Sequence, residues 1–70
     1  MIRVTYKGSH NFDFDARLEA VAERPRSDSG MDFEAMTRFM DFEFSNEQQE
    51  KLFAAAVMSQ FPDFQVQTRE

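Results

Sequence analysis

The 70-residue chain carries 13 acidic residues against eight basic ones, for a formal net charge of −5, and it contains no cysteine. A chain of this length predicts one small domain, residues 1–70, that is too short to bury a large core. The acidity opposes binding to phosphate backbones, so we expect no direct contact with nucleic acid. The chain has no apolar run of about 18 residues and no apolar signal-peptide core, so we expect no membrane contact and a cytoplasmic location.

The first elements predicted in chain order are two strands joined by a turn. Ile2, Val4 and Tyr6 alternate with polar residues, which is typical of a half-buried strand. The polar residues 8–11 suit a turn. From Phe12 the alternation resumes, and it favours a long second strand.

The segment 16–24 is compatible with two structures. Its residues favour a helix intrinsically, and Pro25 could end that helix. Leu18, Ala20 and Ala22 also continue the alternation that begins at Phe12. We favour the strand because it would supply a hairpin partner for the next apolar run, and a helix here remains the open alternative.

The second half of the chain predicts a loop, a strand, a helix and a last strand. Residues 24–30 are polar and rich in breakers, as in an exposed loop, and a third strand is expected at residues 36–44. Residues 45–61 predict an amphipathic helix, with Ser45 as its cap and Pro62 as its stop. Phe64 and Val66 then alternate with polar residues. The predicted fold class is α+β, a small antiparallel sheet of three to four strands in the order β-β-β-α-β, with one amphipathic helix packed on one face.

Motifs for catalysis, cofactors or metals are missing from the sequence. His10 lies close to Asp13 and Asp15, but no further ligands complete a metal site. Asp28, Asp32 and Glu34 surround Gly30 without the spacing of a calcium loop. A single histidine and no glycine-rich nucleophile elbow argue against nucleophilic catalysis. We therefore expect a protein that is not an enzyme and binds no cofactor.

Acidic side chains on the predicted strands suggest a partner surface. In a strand, residues two apart are about 6.6 Å from each other, so acids on two neighbouring strands would form rows resembling a sparse phosphate track. Phe39 would project from the acidic side of the third strand as an aromatic anchor. The predicted partner-binding residues are Asp13, Asp15, Glu19, Asp28, Asp32, Glu34, Phe39, Asp41 and Glu43.

Two functional hypotheses follow from these features. The first is a non-enzymatic acidic module that binds a basic surface on a protein partner, most concretely a phage or mobile-element inhibitor, of the anti-CRISPR kind, that mimics nucleic acid and blocks a host nucleic-acid-binding complex. The second is a small self-assembling structural or adaptor protein that forms homodimers or larger homo-oligomers through exposed Phe and Met residues. The salt dependence of binding discriminates between them.

Overall fold

The computed structural model describes residues 1–69 as four strands and two helices. The elements are β1 (Ile2–Lys7), α1 (Phe12–Ala22), β2 (Asp28–Asp32), β3 (Thr37–Phe42), α2 (Glu47–Gln60) and β4 (Gln65–Thr68). The strands form one sheet in the order β2-β3-β1-β4, and each neighbouring pair is antiparallel. This is the split βαβ, or ferredoxin-like, arrangement. The predicted α+β class with an antiparallel sheet is confirmed.

The two central strands, β1 and β3, build the core by alternation. Ile2, Val4 and Tyr6 are buried, and the register places them beside Phe42, Met40 and Arg38 of β3. Both helices cover this face. Asp15 of α1 hydrogen-bonds to Tyr6, and the ring of Phe53 of α2 lies 5.0 Å from the ring of Phe42. The other face of the sheet is left open, and the strand predicted at residues 36–44 is confirmed.

Helix α1 replaces the favoured second strand, and this part of the predicted order is wrong. The Asn11 side chain accepts hydrogen bonds from the amides of Asp13 and Phe14, which starts the helix earlier than the sequence suggested. Asp15, Leu18 and Ala22 are buried, at the helical spacing of three and four residues. The intrinsic helix preference of the segment therefore outweighs its alternating pattern, and the order is β-α-β-β-α-β with two helices.

Strand β2 begins within the region predicted to be an exposed loop, residues 24–30, and extends two residues beyond it, so that loop is shorter than expected. Its sequence, DSGMD, contains no β-branched or aromatic residue, which explains why no strand was predicted. The strand exists because it pairs along its whole length with β3. The turn that follows is ordered by Asp32, whose carboxylate accepts from the amides of Glu34 and Ala35 at 3.1 and 3.0 Å.

Helix α2 and strand β4 were predicted correctly, apart from details of the helix. The cap is Asn46 rather than Ser45, and its side chain accepts from the Gln49 amide at 2.8 Å. Phe53, Val57 and Phe61 are buried, as an amphipathic helix requires, while Met58 is exposed. Within residues 1–69, no helix combines the length and apolar character needed to cross a membrane.

Candidate functional site

A buried carboxylate between α1 and the sheet gathers the largest group of ionisable side chains found among residues 1–69. Asp15 is 2% exposed, and its Oδ1 accepts from the Tyr6 hydroxyl at 2.8 Å. Its Oδ2 contacts His10 Nε2 at 2.5 Å, Arg38 Nη2 at 2.9 Å and Arg26 Nη1 at 3.0 Å. Four separate segments of the chain therefore meet at one carboxylate.

The environment of Asp15 stabilises its charged form. Burial alone would raise the pKa of the Asp15 carboxyl, but the hydrogen bonds from Arg38 and Tyr6 and the charge of Arg38 outweigh burial and lower that pKa below its usual value. Burial is also the main reason why the pKa of Tyr6 is raised. Because hydrogen bonds from the protein surround the Asp15 carboxylate, it is suited to holding α1 on the sheet rather than to exchanging protons with a substrate.

A second ion pair lies on the open face of the sheet. Arg3 donates from Nε and Nη2 to the two carboxylate oxygens of Asp41, at 2.8 and 3.0 Å. The Arg3 guanidinium also lies 4.1 Å from the centre of the Phe39 ring. That ring covers Gly30, where an added Cβ would approach Phe39 Cε1 to 2.8 Å. Neutralised charge and a flat aromatic ring therefore occupy the middle of this face.

The turn between β2 and β3 presents a different surface. Phe33 is 78% exposed, and Met36, three residues later in the same turn, is also exposed. Asp32 and Glu34 flank Phe33, and both are exposed acids. The turn is tied to the rest of the fold, because the Gly8 amide donates to the Met36 carbonyl oxygen at 2.8 Å. An apolar group is therefore held among carboxylates on an ordered turn.

The nine predicted partner-binding residues separate into four groups, and the predicted rows of acids are not formed. Asp15 and Asp41 are buried and paired with arginine, Glu19 is half-buried and pairs with Arg26, and Phe39 is half-buried on the open face. The rows fail because Asp13, Asp15 and Glu19 lie on a helix. The remaining five residues are exposed acids in no ion pair within residues 1–69, namely Asp13, Asp28, Asp32, Glu34 and Glu43.

The sequence interpretation missed the partners of Asp15, which are Tyr6, His10, Arg26 and Arg38. One local signal was present. Arg38 shares a strand face with Met40 and Phe42, so the third strand places an arginine at a core position. A charged side chain at such a position requires a buried counter-ion.

A shallow groove between the two helices is a concave feature of the surface. Its apolar lining includes Val21, Phe44, Leu52 and Ala56. Arg24 occupies part of it, because its guanidinium lies 4.2 Å from the centre of the Phe44 ring and donates to the Glu43 carbonyl at 2.6 Å. The groove contains no constellation of catalytic side chains.

Metal-ligating side chains are not clustered in the described part of the chain, where no group of three or more His, Cys, Asp or Glu residues could hold an ion. Comparison with protein-family models, with curated proteins and with solved structures finds no match for this chain.

Proposed function

We propose that this chain is a non-enzymatic module that binds a basic surface on another protein through its acidic hairpin. The acidic hairpin comprises β2, β3 and the turn between them, with Asp28, Asp32 and Glu34 as its exposed acids. The observation that carries the proposal is the exposed Phe33 between two of these carboxylates. Large aromatic side chains contribute strongly to interfaces because they bury much apolar area on binding.

The charges of the acidic hairpin support a basic partner. Asp28, Asp32 and Glu34 take part in no ion pair among residues 1–69, whereas Arg38, the only basic residue of the hairpin, is buried against Asp15. The negative surface of the hairpin therefore extends from the turn along β2. Complementary charge speeds association and selects partners, and its effect falls as salt is added.

The ordered turn supports binding by a preformed surface. Asp32 holds the amides of Glu34 and Ala35, and the bond between Gly8 and Met36 fixes the end of the turn. A group that is already ordered loses less conformational entropy when it binds, so more of the contact energy remains as affinity.

A narrower form of the proposal is that the partner is a nucleic-acid-binding complex and that the chain acts as a phage or mobile-element inhibitor of the anti-CRISPR kind. Its support is the small size, the acidity and the basic surface that such complexes present to phosphates. Mimicry by two rows of acids does not apply, since Asp15 and Asp41 are buried. The inhibitor would instead act through the acidic hairpin.

The alternative is a self-assembling structural or adaptor protein. It is favoured by exposed apolar side chains away from the hairpin, which are Phe12 on α1 and Leu52 and Met58 on α2. Assembly through such groups would depend on protein concentration and would respond little to salt.

The test uses a matched pair of variants. Asp32→Asn with Phe33→Ser removes one charge and one aromatic ring from the acidic hairpin, and Asp13→Asn with Phe12→Ser removes the same groups from the start of α1. Phe12 and Phe33 are both 78% exposed, so the variants are equivalent in composition and exposure. Each is used to capture proteins from a cell lysate at low and high salt.

We expect the wild type and the α1 variant to capture basic proteins at low salt. The hairpin variant should not retain these proteins. Capture that is unchanged in the hairpin variant would contradict the proposal. Sedimentation of the purified chain over a range of concentrations and salt provides the parallel test of self-association, and a salt-insensitive oligomer would favour the alternative.

A further inference from the structure

Strand β2 forms an open edge of the sheet. It pairs only with β3, so the backbone donors and acceptors on its other side are not used by the sheet. Exposed edges in natural proteins are commonly protected by lysine, proline or a bulge. The strand contains neither lysine nor proline, and its register with β3 is continuous from Asp28 to Asp32. An extended segment could add to it by backbone hydrogen bonds.

The open-face side of this edge has a defined chemical pattern. Asp28, Gly30 and Asp32 share that face because side chains alternate along a strand. Gly30 contributes no side chain, and the Phe39 ring lies over it. A segment pairing with β2 would therefore meet a carboxylate, an aromatic ring and a carboxylate at successive positions about 6.6 Å apart.

Hydrogen bonds hold both carboxylates at the edge. The Asp28 side chain accepts from the Ser29 amide at 2.8 Å, and the Asp32 side chain accepts from two amides of the turn. Because these bonds leave other lone pairs free, each carboxylate can still accept from a lysine or arginine on a neighbouring strand.

The same pattern disfavours a second copy of this chain as the strand that pairs with β2. Pairing of two β2 strands in antiparallel register would place Asp28 of one copy opposite Asp32 of the other. Like charges directly opposite each other destabilise a strand pair. Opposite charges in those positions stabilise it, so charge complementarity points to a basic segment of a different protein.

We propose that β2 binds an extended basic segment of a partner protein by strand addition, with the alternation basic, any, aliphatic, any, basic. The basic side chains would pair with Asp28 and Asp32, and the aliphatic one would lie on the Phe39 ring at Gly30. The pattern is symmetrical about Gly30, so it serves a parallel or an antiparallel segment. This proposal rests on the proposed function and specifies the chemistry of its partner.

The probe is a synthetic peptide, Thr-Lys-Thr-Val-Thr-Lys-Thr, with both ends blocked. Two further peptides carry three backbone N-methyl groups each, one on the two lysines and the valine and the other on the last three threonines. Both keep the charge of the parent. Alternate residues of a strand direct their amides to opposite sides, so only one of the two peptides should lose the donors that face β2.

Binding is measured by calorimetry, and amide shifts and hydrogen exchange locate it on the protein. We expect the parent peptide to protect β2 amides and one methylated peptide to bind about tenfold more weakly, with the other nearly unchanged. The variant Asp28→Asn with Asp32→Asn keeps its side-chain acceptors and should weaken binding several-fold. The control, Asp13→Asn with Glu47→Gln, makes the same change of charge on the helices and should have little effect.

Three results would overturn strand addition: no binding of the parent peptide, equal binding of all three peptides, or protection that lies outside β2. The three peptides could bind equally well while the Asp28→Asn, Asp32→Asn variant binds them more weakly. That result would contradict strand addition but would still support binding by the proposed acidic surface. If that variant behaves as wild type with the peptides and the hairpin variant behaves as wild type in lysate capture, both proposals fail.

Discussion

The Asp15 carboxylate of α1 and the Arg38 guanidinium of β3 form a buried ion pair, with 2.9 Å between Oδ2 and Nη2. Charged groups lose hydration when they are buried, so such a pair is stable only when further hydrogen bonds satisfy it. Tyr6, His10 and Arg26 provide these bonds to the carboxylate. The pair therefore fixes the position of α1 over the sheet.

Removal of the Asp15 carboxylate should be the most destabilising polar substitution in the chain. Asp15→Ala would leave Arg38 buried without a counter-ion, at a cost of about 3–5 kcal/mol in the free energy of unfolding. That loss is comparable with the whole stability of a small domain. Urea unfolding followed by circular dichroism measures it, with Asp13→Ala as the exposed control on the same helix. Equal stability of the two variants would contradict the structural role of the pair.

Replacement of both partners should cost less than removal of one. Asp15→Leu with Arg38→Met leaves no unpaired charge in the core, and well-packed apolar residues often match or exceed the stability of a buried ion pair. We expect the double variant to be more stable than Asp15→Ala in the same urea experiment. A double variant that is less stable than either single replacement would show that the hydrogen-bond network itself carries the stability.

Asp15 should also contribute to the acid sensitivity of the fold. Its pKa in the folded protein is lowered because the hydrogen bonds and charge of Arg38 and the hydrogen bond from Tyr6 outweigh burial, whereas the unfolded value is about 3.9. The folded state thus binds fewer protons, and the stability that Asp15 contributes is present above the unfolded pKa and lost as pH falls through the folded pKa. Asp15→Asn should flatten this part of the profile. Urea unfolding of the wild type and of Asp15→Asn from neutral to acidic pH tests this prediction. Parallel profiles of stability against pH for the two proteins would contradict it.

The sequence was sufficient for the elements whose signals are local. The alternation of Ile2, Val4 and Tyr6 predicts β1, and the apolar spacing before Pro62 predicts α2. The segment that begins at Phe12 carries both an alternating and a helical pattern, and the cap at Asn11 decides between them. Strand β2 has no local signal, because its structure depends on pairing with β3.

The candidate site was less predictable for the same physical reason. The side chains around Asp15 come from segments that are distant in sequence, and only the fold brings them together. Alternation along a strand places Asp41 on the face opposite Phe42, but Arg3 lies on a neighbouring strand and its pairing with Asp41 follows from the register of β1 with β3. The exposure of Phe33 also depends on the fold, because Phe33 lies in the turn that forms when β2 pairs with β3.

Gly30 should be sensitive to substitution because of the Phe39 ring. In Gly30→Ala, the new Cβ would lie 2.8 Å from Phe39 Cε1, so the ring must move and lose contact with the Arg3 guanidinium. We expect a loss of about 1–3 kcal/mol in the free energy of unfolding. Phe39→Leu should recover part of the loss in the double variant, as measured by a double-mutant cycle. Strict additivity of the two substitutions would contradict the contact.

The Arg3–Asp41 pair should depend on the two-pronged geometry of the guanidinium. Arg3 donates two hydrogen bonds to Asp41, and these bonds raise the pKa of Arg3 above its usual value. Arg3→Lys keeps the charge but cannot make both bonds or lie flat on the Phe39 ring. We expect Arg3→Lys to lose about 1.5–3 kcal/mol in the free energy of unfolding, because hydrogen bonds to charged groups are worth about that much. Lys7→Arg, an exchange at an exposed residue on the same strand face, should change the stability little. Full stability of Arg3→Lys in urea would show that a positive charge at position 3 is sufficient and that the two-pronged geometry contributes nothing.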